Sequence, residues 1–273
     1  MRPFFSNELF QFRLQSKETI LAFLLSLAFF IALQPIVGLL LRLIFPGFTK
    51  WNKKRQRDWI SRMISTLHAL IFTVLSFYIL FISQEVYEPM INGGFLHNTC
   101  PLAFPTIAFS MAYFVVDLYY VLAYFPDTMT IVHHVGAALA AYVITAYESG
   151  PVYMLVFGLT EASTPFVNLR VFLHDLGYKN SLMYSLNGIA MWFGFLIFRI
   201  PTIFYIPYII WTYNFEVIFF QVTGLMLFIV LFGYTSISTL NIWWFYLITK
   251  GLLKVLRHKP TTAQTEEELK KVQ

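Results

Sequence analysis

Long apolar runs separated by short polar segments follow one another along most of the chain. A helix needs about 20 apolar residues to cross the hydrocarbon core of a bilayer. By that measure the pattern predicts seven spanning helices, near 19–42, 61–82, 103–125, 131–147, 152–173, 183–207 and 217–249. The fourth run is short and the last is long enough to tilt or to end along the interface, so six or eight crossings remain open.

Composition supports this interpretation. Of the 273 residues 58% are hydrophobic and only 12% are charged, whereas soluble domains carry roughly 25% charged residues. The amino-terminal sequence lacks the short apolar core and cleavage site of a removable signal peptide, so we expect the first run to stay in the protein. The predicted fold class is therefore all-α, a polytopic membrane helical bundle with about seven transmembrane helices.

Positive charge predicts how the bundle is oriented. Lysine and arginine are enriched in the cytoplasmic loops of membrane proteins, and a dense basic segment lies between the first two predicted spans. The residues after the last span are also basic, which places the carboxyl terminus in the cytoplasm and, with seven spans, the amino terminus on the lumenal side. The net charge of +5 then reflects orientation, and we expect no nucleic-acid partner. The basic residues of the first segment are Lys50, Lys53, Lys54, Arg55, Arg57 and Arg62.

Four ionisable residues inside the predicted spans are the candidates for catalysis, if the protein is an enzyme. A charged side chain at mid-membrane costs at least about 2.5–3.5 kcal/mol, so such residues usually face the bundle interior and have a function. Asp117 lies about 12 Å deep on the third span, and His133 and His134 follow the next turn on the returning helix, so they can meet. Glu161 lies on the fifth span. We expect one histidine to hydrogen-bond a carboxylate, and His134 to lie closer to the core than His133.

Five further polar residues are candidates for a polar cluster or a lipid pocket. Helical spacing places Thr164 and Asn168 on the face of Glu161, with Arg170 about half a turn away. For Asn168 we favour a hydrogen bond between membrane helices, as buried amides often form. For Arg170 we favour a long side chain that extends its charged group to the membrane interface. Arg199 precedes Pro201 deep in the sixth span, where a structural role is favoured. His68 would add a third histidine from the second span.

Metal and haem sites are not predicted. The chain has six histidines and one cysteine, Cys100, too few for a diiron histidine cluster, a multi-cysteine metal site or an internal disulfide. His68 with His133 or His134 is a conceivable haem ligand pair, but nothing else in the sequence marks a haem pocket. A glycine-rich phosphate loop and a serine nucleophile elbow are also missing.

The sequence around these polar residues resembles that of a known family, the TLC (TRAM/Lag/CLN) domain superfamily of multi-span endomembrane proteins. Its cues are Asp117, the segment "VHHVGAAL" and the segment "LTEASTPFVNLRVFLHDLGYKNS". Within it, "EASTPFVNLR" is similar to the TLC domain-containing protein 4 branch. The resemblance implies a helical bundle with a lipid-sized cavity over residues 55–255. Residues 1–54 before this domain would then form the lumenal amino terminus, the first transmembrane helix and the basic cytoplasmic loop. Residues 256–273 after it would form a cytoplasmic tail.

The comparison with ceramide synthases, which belong to the same superfamily, bears on the chemistry. Their paired histidines match His133 and His134, but their His-Asp-x-x-Asp motif is replaced here by Thr160, Glu161, Ala162, Ser163 and Thr164. Glu161 keeps one carboxylate, while a histidine and an aspartate are lost. The resemblance thus implies a TLC protein that binds or modifies a lipid or acyl group and affects lipid homeostasis, without a cofactor. The alternatives are an acyl-CoA-dependent, ceramide-synthase-like acyltransferase and a lipid transport protein or trafficking adaptor without catalysis.

The last four residues, "KKVQ", predict a location. Lys270 and Lys271 stand fourth and third from the end, as in the dilysine signal by which coat proteins return membrane proteins to the endoplasmic reticulum. Such signals are read by receptors and need a cytoplasmic terminus, which the charge pattern predicts independently. We therefore expect residence in the endoplasmic reticulum membrane, accompanied by some cycling through the early Golgi.

Overall fold

The computed structural model describes residues 16–83, 100–214 and 224–257. Within these ranges the chain forms helices joined by short turns and has no strand. The α-helices are α1 Lys17–Ile44, α2 Lys53–Phe81, α3 Ala103–Tyr124, α4 Thr128–Ala146, α5 Pro151–Thr160, α6 Thr164–Asp175, α7 Leu182–Gly194, α8 Ile200–Ile209 and α9 Gly224–Arg257. The predicted all-α membrane bundle is confirmed.

The basic segment that was predicted as part of a loop begins a helix instead. The side chain of Asn52 accepts a hydrogen bond of 2.8 Å from the backbone N–H of Arg55 and so caps α2, which starts at Lys53. Lysine, arginine and glutamine are good helix formers, and a capping asparagine satisfies one of the free N–H groups of the first turn. Because of this cap, α2 starts eight residues before the predicted second span.

Successive crossings run in alternating directions between two ends of the bundle. We call the end of the bundle where α2 begins the basic end, because the first turns of α2 carry lysines and arginines such as Arg55. There the indole N–H of Trp59 donates to Asp175 across 2.8 Å. At the far end, the backbone N–H of Ser16 donates to Glu148 across 2.9 Å. The first described residues therefore lie at the far end, as an odd number of crossings requires.

Six helical segments are long and apolar enough to cross a membrane among the described residues. The predicted fifth span is built differently, because α5, the 3-10 turn Glu161–Ser163 and α6 follow one another without a gap. Neither α5 nor α6 is long enough alone, but the combined rod 151–175 joins the far end to the basic end. The seven predicted crossings correspond to these six segments and the rod.

The fifth and sixth crossings are irregular where they carry their buried ionisable residues. Glu161 opens the 3-10 turn, and Arg199 ends the π-helical segment Phe195–Arg199 just before α8. Pro207 in α8 has no N–H for the carbonyl of Ile203, and that carbonyl accepts a 2.5 Å hydrogen bond from the Tyr234 hydroxyl instead. Short π-helical segments are frequent at functional sites, so these breaks direct attention to the side chains around them.

Candidate functional site

A buried carboxylate and a buried histidine form the centre of the site. Nε2 of His134 lies 2.9 Å from Oδ2 of Asp117, and the Ser61 hydroxyl donates to Oδ1 of Asp117 across 2.6 Å. The side chains of His134 and Asp117 are only 8% and 6% exposed. The predicted histidine–carboxylate hydrogen bond is confirmed, and so is the expectation that His134 is the more buried histidine of the pair.

The second nitrogen of His134 determines where protons lie in this pair. Nδ1 is 2.8 Å from the backbone carbonyl of Thr130, which can only accept a hydrogen bond. Nδ1 therefore carries a proton, and the contact between Nε2 and the Asp117 carboxyl needs a second one. The pair thus holds one shared proton, as an imidazolium with a carboxylate or as a neutral histidine with a carboxylic acid. In either form both ring nitrogens of His134 are engaged.

A polar cavity opens beside this pair towards the basic end. Besides Asp117 and His134 its wall carries Lys54, Asp58 and Arg62. Arg62 and Asp58 form an ion pair at 3.0 Å, so the wall has charges of both signs. The shared proton of Asp117 and His134 therefore lies next to polar groups and not next to lipid.

His133 faces a second, apolar cavity. The rings of His133 and His134 have centroids 5.5 Å apart and lie at 80° to each other. His133 packs edge-on against Phe114 and Trp244. Its Nδ1 is buried and has no hydrogen-bond partner in the described part of the chain. Adjacent helical residues point about 100° apart, which is why the two histidines belong to different cavities.

The apolar cavity has a volume of about 140 Å³ and runs along α4 from His133 to Tyr147. Fourteen residues of helix correspond to about 21 Å, so the cavity extends from mid-bundle to the far end. Aliphatic and aromatic side chains form most of its wall, and His133, Thr160 and Glu161 line it too. Thr160 ends α5 and Glu161 follows it, about ten residues or 15 Å from the start of α5 at the far end, so they lie towards mid-bundle as His133 does. A long apolar cavity with a few convergent polar groups is typical of a site for a small molecule with one polar end.

Glu161 and Arg199 are linked through Thr164. The Thr164 hydroxyl donates to Oε2 of Glu161 across 2.6 Å and accepts from Nη2 of Arg199 across 3.0 Å. Nε of Arg199 donates to Ser163 and Nη1 donates to Asn241. The predicted residues Glu161, Thr164 and Arg199 are therefore brought together in one buried network, where the two charges balance each other.

Three other predicted site residues lie outside this network. His68 is fully buried, with Nε2 3.0 Å from the Ser110 hydroxyl and its ring stacked at 3.9 Å on Tyr113. Its packing leaves no space for a haem, and the described residues contain no group of three histidine, cysteine or acidic side chains that could hold a metal ion.

Asn168 and Arg170 have structural contacts instead. The Asn168 amide donates to the backbone of Arg62 and to the Thr66 hydroxyl, which joins α6 to α2. The Arg170 guanidinium lies 4.0 Å from the Tyr184 ring and packs α6 against α7. Both residues hold helices together, and Asn168 also lines the polar cavity beside Asp117 and His134.

Several contact residues escaped the sequence-based reasoning because they are neutral. Asn241 and Ser163 hold the guanidinium of Arg199, and the Thr130 carbonyl fixes the ring of His134. Asn241 was recognisable as a buried amide in an apolar helix, since polar residues in a span usually bond across helices. The backbone of Thr130 gave no such signal.

The fold and the site define a class, that of polytopic helical membrane proteins with a buried carboxylate–histidine pair and a long apolar cavity. Residues 58–250, more than half of the chain, match the family model described as the TLC domain (TRAM_LAG1_CLN8). The chain belongs to the TLC domain family.

Three relatives illustrate its place in that family. The chain is 30% identical over 218 residues to TLC domain-containing protein 4-B of Xenopus laevis, covering 78% of this chain and 81% of the relative. It is 32% identical over 222 residues to TLC domain-containing protein 4-B of Danio rerio, with coverages of 78% and 80%. It is 30% identical over 222 residues to TLC domain-containing protein 4 of Homo sapiens, with coverages of 79% and 81%. The resemblance to this branch is confirmed.

Proposed function

We propose that this protein binds or modifies a lipid or acyl group in the apolar cavity and thereby contributes to membrane lipid homeostasis. One observation carries the proposal: the cavity is apolar along α4 and ends at His133 and Glu161. An acyl chain fits the apolar length, and a head group would meet the polar end. Burial of a chain stabilises the complex by about 0.8 kcal/mol per methylene.

Filling the cavity should weaken lipid binding. Val230 lines it, and tryptophan at this position would occupy the space of the chain. We expect Val230→Trp to reduce retention of co-purified lipid by about tenfold, which corresponds to about 1.4 kcal/mol of binding free energy. The measurement is native mass spectrometry of the full-length protein purified in mild detergent.

Val74→Trp is the matched control, because Val74 is 65% exposed on the outer surface of α2. It introduces the same side chain without entering the cavity and should leave lipid retention at the parent level. Equal retention by the parent and by a folded Val230→Trp variant would contradict the proposal.

An acyltransferase is the second candidate, and the unpartnered Nδ1 of His133 favours it. With acyl-CoA and a long-chain amine as substrates, the amine nitrogen would attack the thioester carbonyl, and His133 would take a proton from that nitrogen. The carbon–sulfur bond would break, and the departing CoA thiolate would take up that proton. His134 would act by positioning, since both of its nitrogens are engaged with Asp117 and Thr130.

Labelled acyl-CoA and a long-chain base supplied to purified protein distinguish binding from acyl transfer. Time-dependent N-acylated product that is lost in His133→Ala would establish the acyltransferase. A transport protein or trafficking adaptor would form no product, and cellular lipid profiles would stay unchanged in His134→Ala and Glu161→Gln. Lipid binding with altered lipid profiles but no N-acylated product supports the leading proposal.

We further propose residence in the endoplasmic reticulum membrane with cycling through the early Golgi and a cytoplasmic carboxyl terminus. Lys270 and Lys271 lie outside the described residues, so this proposal rests on the sequence. Replacing both lysines with serine should let a protein tagged at its amino terminus move to later compartments, as seen by microscopy. The tail of this variant should also lose its binding to coat protein.

The tag position is essential, because the signal needs Gln273 as a free carboxyl end. Replacing Lys250 and Lys254, which are also basic but lie in α9, tests whether charge alone is responsible. If the Lys270/Lys271 double variant stays with the parent protein, retention depends on the spans or on a partner.

A further inference from the structure

We infer that the ligand of the apolar cavity is a single-chain lipid whose head is a neutral or cationic hydrogen-bond donor, such as an alcohol or an amine. The inference rests on the proposed function and narrows its substrate class. It excludes lipids whose head is a free carboxylate or a phosphate. The charges at the inner end of the cavity carry the argument.

The inner end of the cavity presents an acceptor. Oε2 of Glu161 accepts the hydrogen bond from Thr164, whereas no hydrogen bond reaches Oε1 from the described residues. Glu161 is only 8% exposed, and it is one of the residues that line the cavity. A carboxylate in a largely buried side chain is costly when one of its oxygens has no protein donor, so a ligand N–H or O–H at this position would be stabilised.

The balancing positive charge is turned away from the ligand. All three nitrogens of the Arg199 guanidinium donate to protein groups, namely Ser163, Thr164 and Asn241. Arg199 is 6% exposed and is not part of the cavity wall. The described wall contains no lysine or arginine at all, so an anionic head would find no cationic partner there.

The remaining polar groups at the inner end agree with this assignment. The Thr160 hydroxyl donates to the carbonyl of Phe157 across 2.6 Å, which leaves it to accept from a ligand. His133 lines the same cavity, and a neutral imidazole accepts a hydrogen bond at the ring nitrogen that carries no proton. An anionic head would instead lie next to Glu161, which lines the wall, whereas Arg199 does not. In a medium of low dielectric this repulsion between like charges disfavours the anion.

Two photoactivatable probes of 16 carbons test the inference, one a primary alcohol and one a carboxylic acid, with the diazirine at the same carbon. At pH 8 the acid is ionised. We expect the alcohol to label the purified full-length protein about tenfold more than the acid at equal concentration, or about 1.4 kcal/mol in favour of the alcohol. In Glu161→Gln, which removes the negative charge and keeps the shape, the two probes should label to within about twofold of each other.

Glu18→Gln is the matched control, because Glu18 is exposed at the start of α1 and does not line the cavity. It should keep the preference of the parent protein. If the acid labels the parent as strongly as the alcohol, the inference is wrong while the proposed function stands. If neither probe labels the parent in the cavity, the proposed function itself fails. The preference of the parent protein decides the matter even if Glu161→Gln does not fold.

Discussion

Asp117→Leu should lower the free energy of unfolding by about 3–5 kcal/mol, the usual cost of removing one partner of a buried ion pair. The variant leaves the ring of His134 and the hydroxyl of Ser61 buried without the carboxylate that both contact. The backbone bond to Thr130 keeps Nδ1 engaged, so the unpartnered nitrogen is Nε2. Thermal unfolding in detergent, followed by size-exclusion chromatography of the remaining folded protein, measures the loss.

Asp58→Leu is the matched control. Asp58 forms an ion pair with Arg62 on the same side of the bundle, but their side chains are 25% and 30% exposed. Solvent-exposed pairs contribute only about 0–1 kcal/mol, so this variant should unfold close to the parent temperature. Equal losses of stability in the two variants would contradict the prediction, because the buried pair of Asp117 and His134 would then contribute no more than a partly exposed ion pair.

Much of the fold and one part of the site could be predicted from the sequence. The spans follow from the length of the apolar runs, since few other structures satisfy the backbone inside a bilayer. The meeting of Asp117 with His134 follows because only the three residues 125–127 join α3 to α4, so the two helices must be antiparallel neighbours. Depth along each helix then places the two side chains at one level.

The second part of the site depended on packing that the sequence does not specify. Glu161 and Arg199 come from different crossings, and a 3-10 turn and a π-helical segment set the directions of their side chains. Both departures from regular helix shift the angular position of every following residue, so helical spacing alone misjudges what faces what. This is why Asn168, predicted on the face of Glu161, points to α2 instead.

The packing of α2 against α5 is tight enough that one added carbon should destabilise the protein. A Cβ on Gly158 would overlap the hydroxyl of Ser76 and lie 3.0 Å from its Cβ and 3.1 Å from the Phe72 ring. We expect Gly158→Ala to cost about 1–3 kcal/mol, the usual range for overpacking a core. The same thermal unfolding measurement detects it. Gly251→Ala is the control, since nothing lies within 4 Å of a Cβ there, and it should gain about 0.5–1 kcal/mol from helix propensity.

A double-variant cycle identifies the collision responsible. The Ser76 hydroxyl is buried and has no hydrogen-bond partner in the described part of the chain, so Ser76→Ala should cost little by itself. In its presence Gly158→Ala has more room, and the two changes together should be more stable than their sum predicts by about 0.5–3 kcal/mol. Strict additivity would mean that the methyl group is accommodated by movement of Phe72 or of α5, and that the close approach of the two helices at Gly158 does not limit stability.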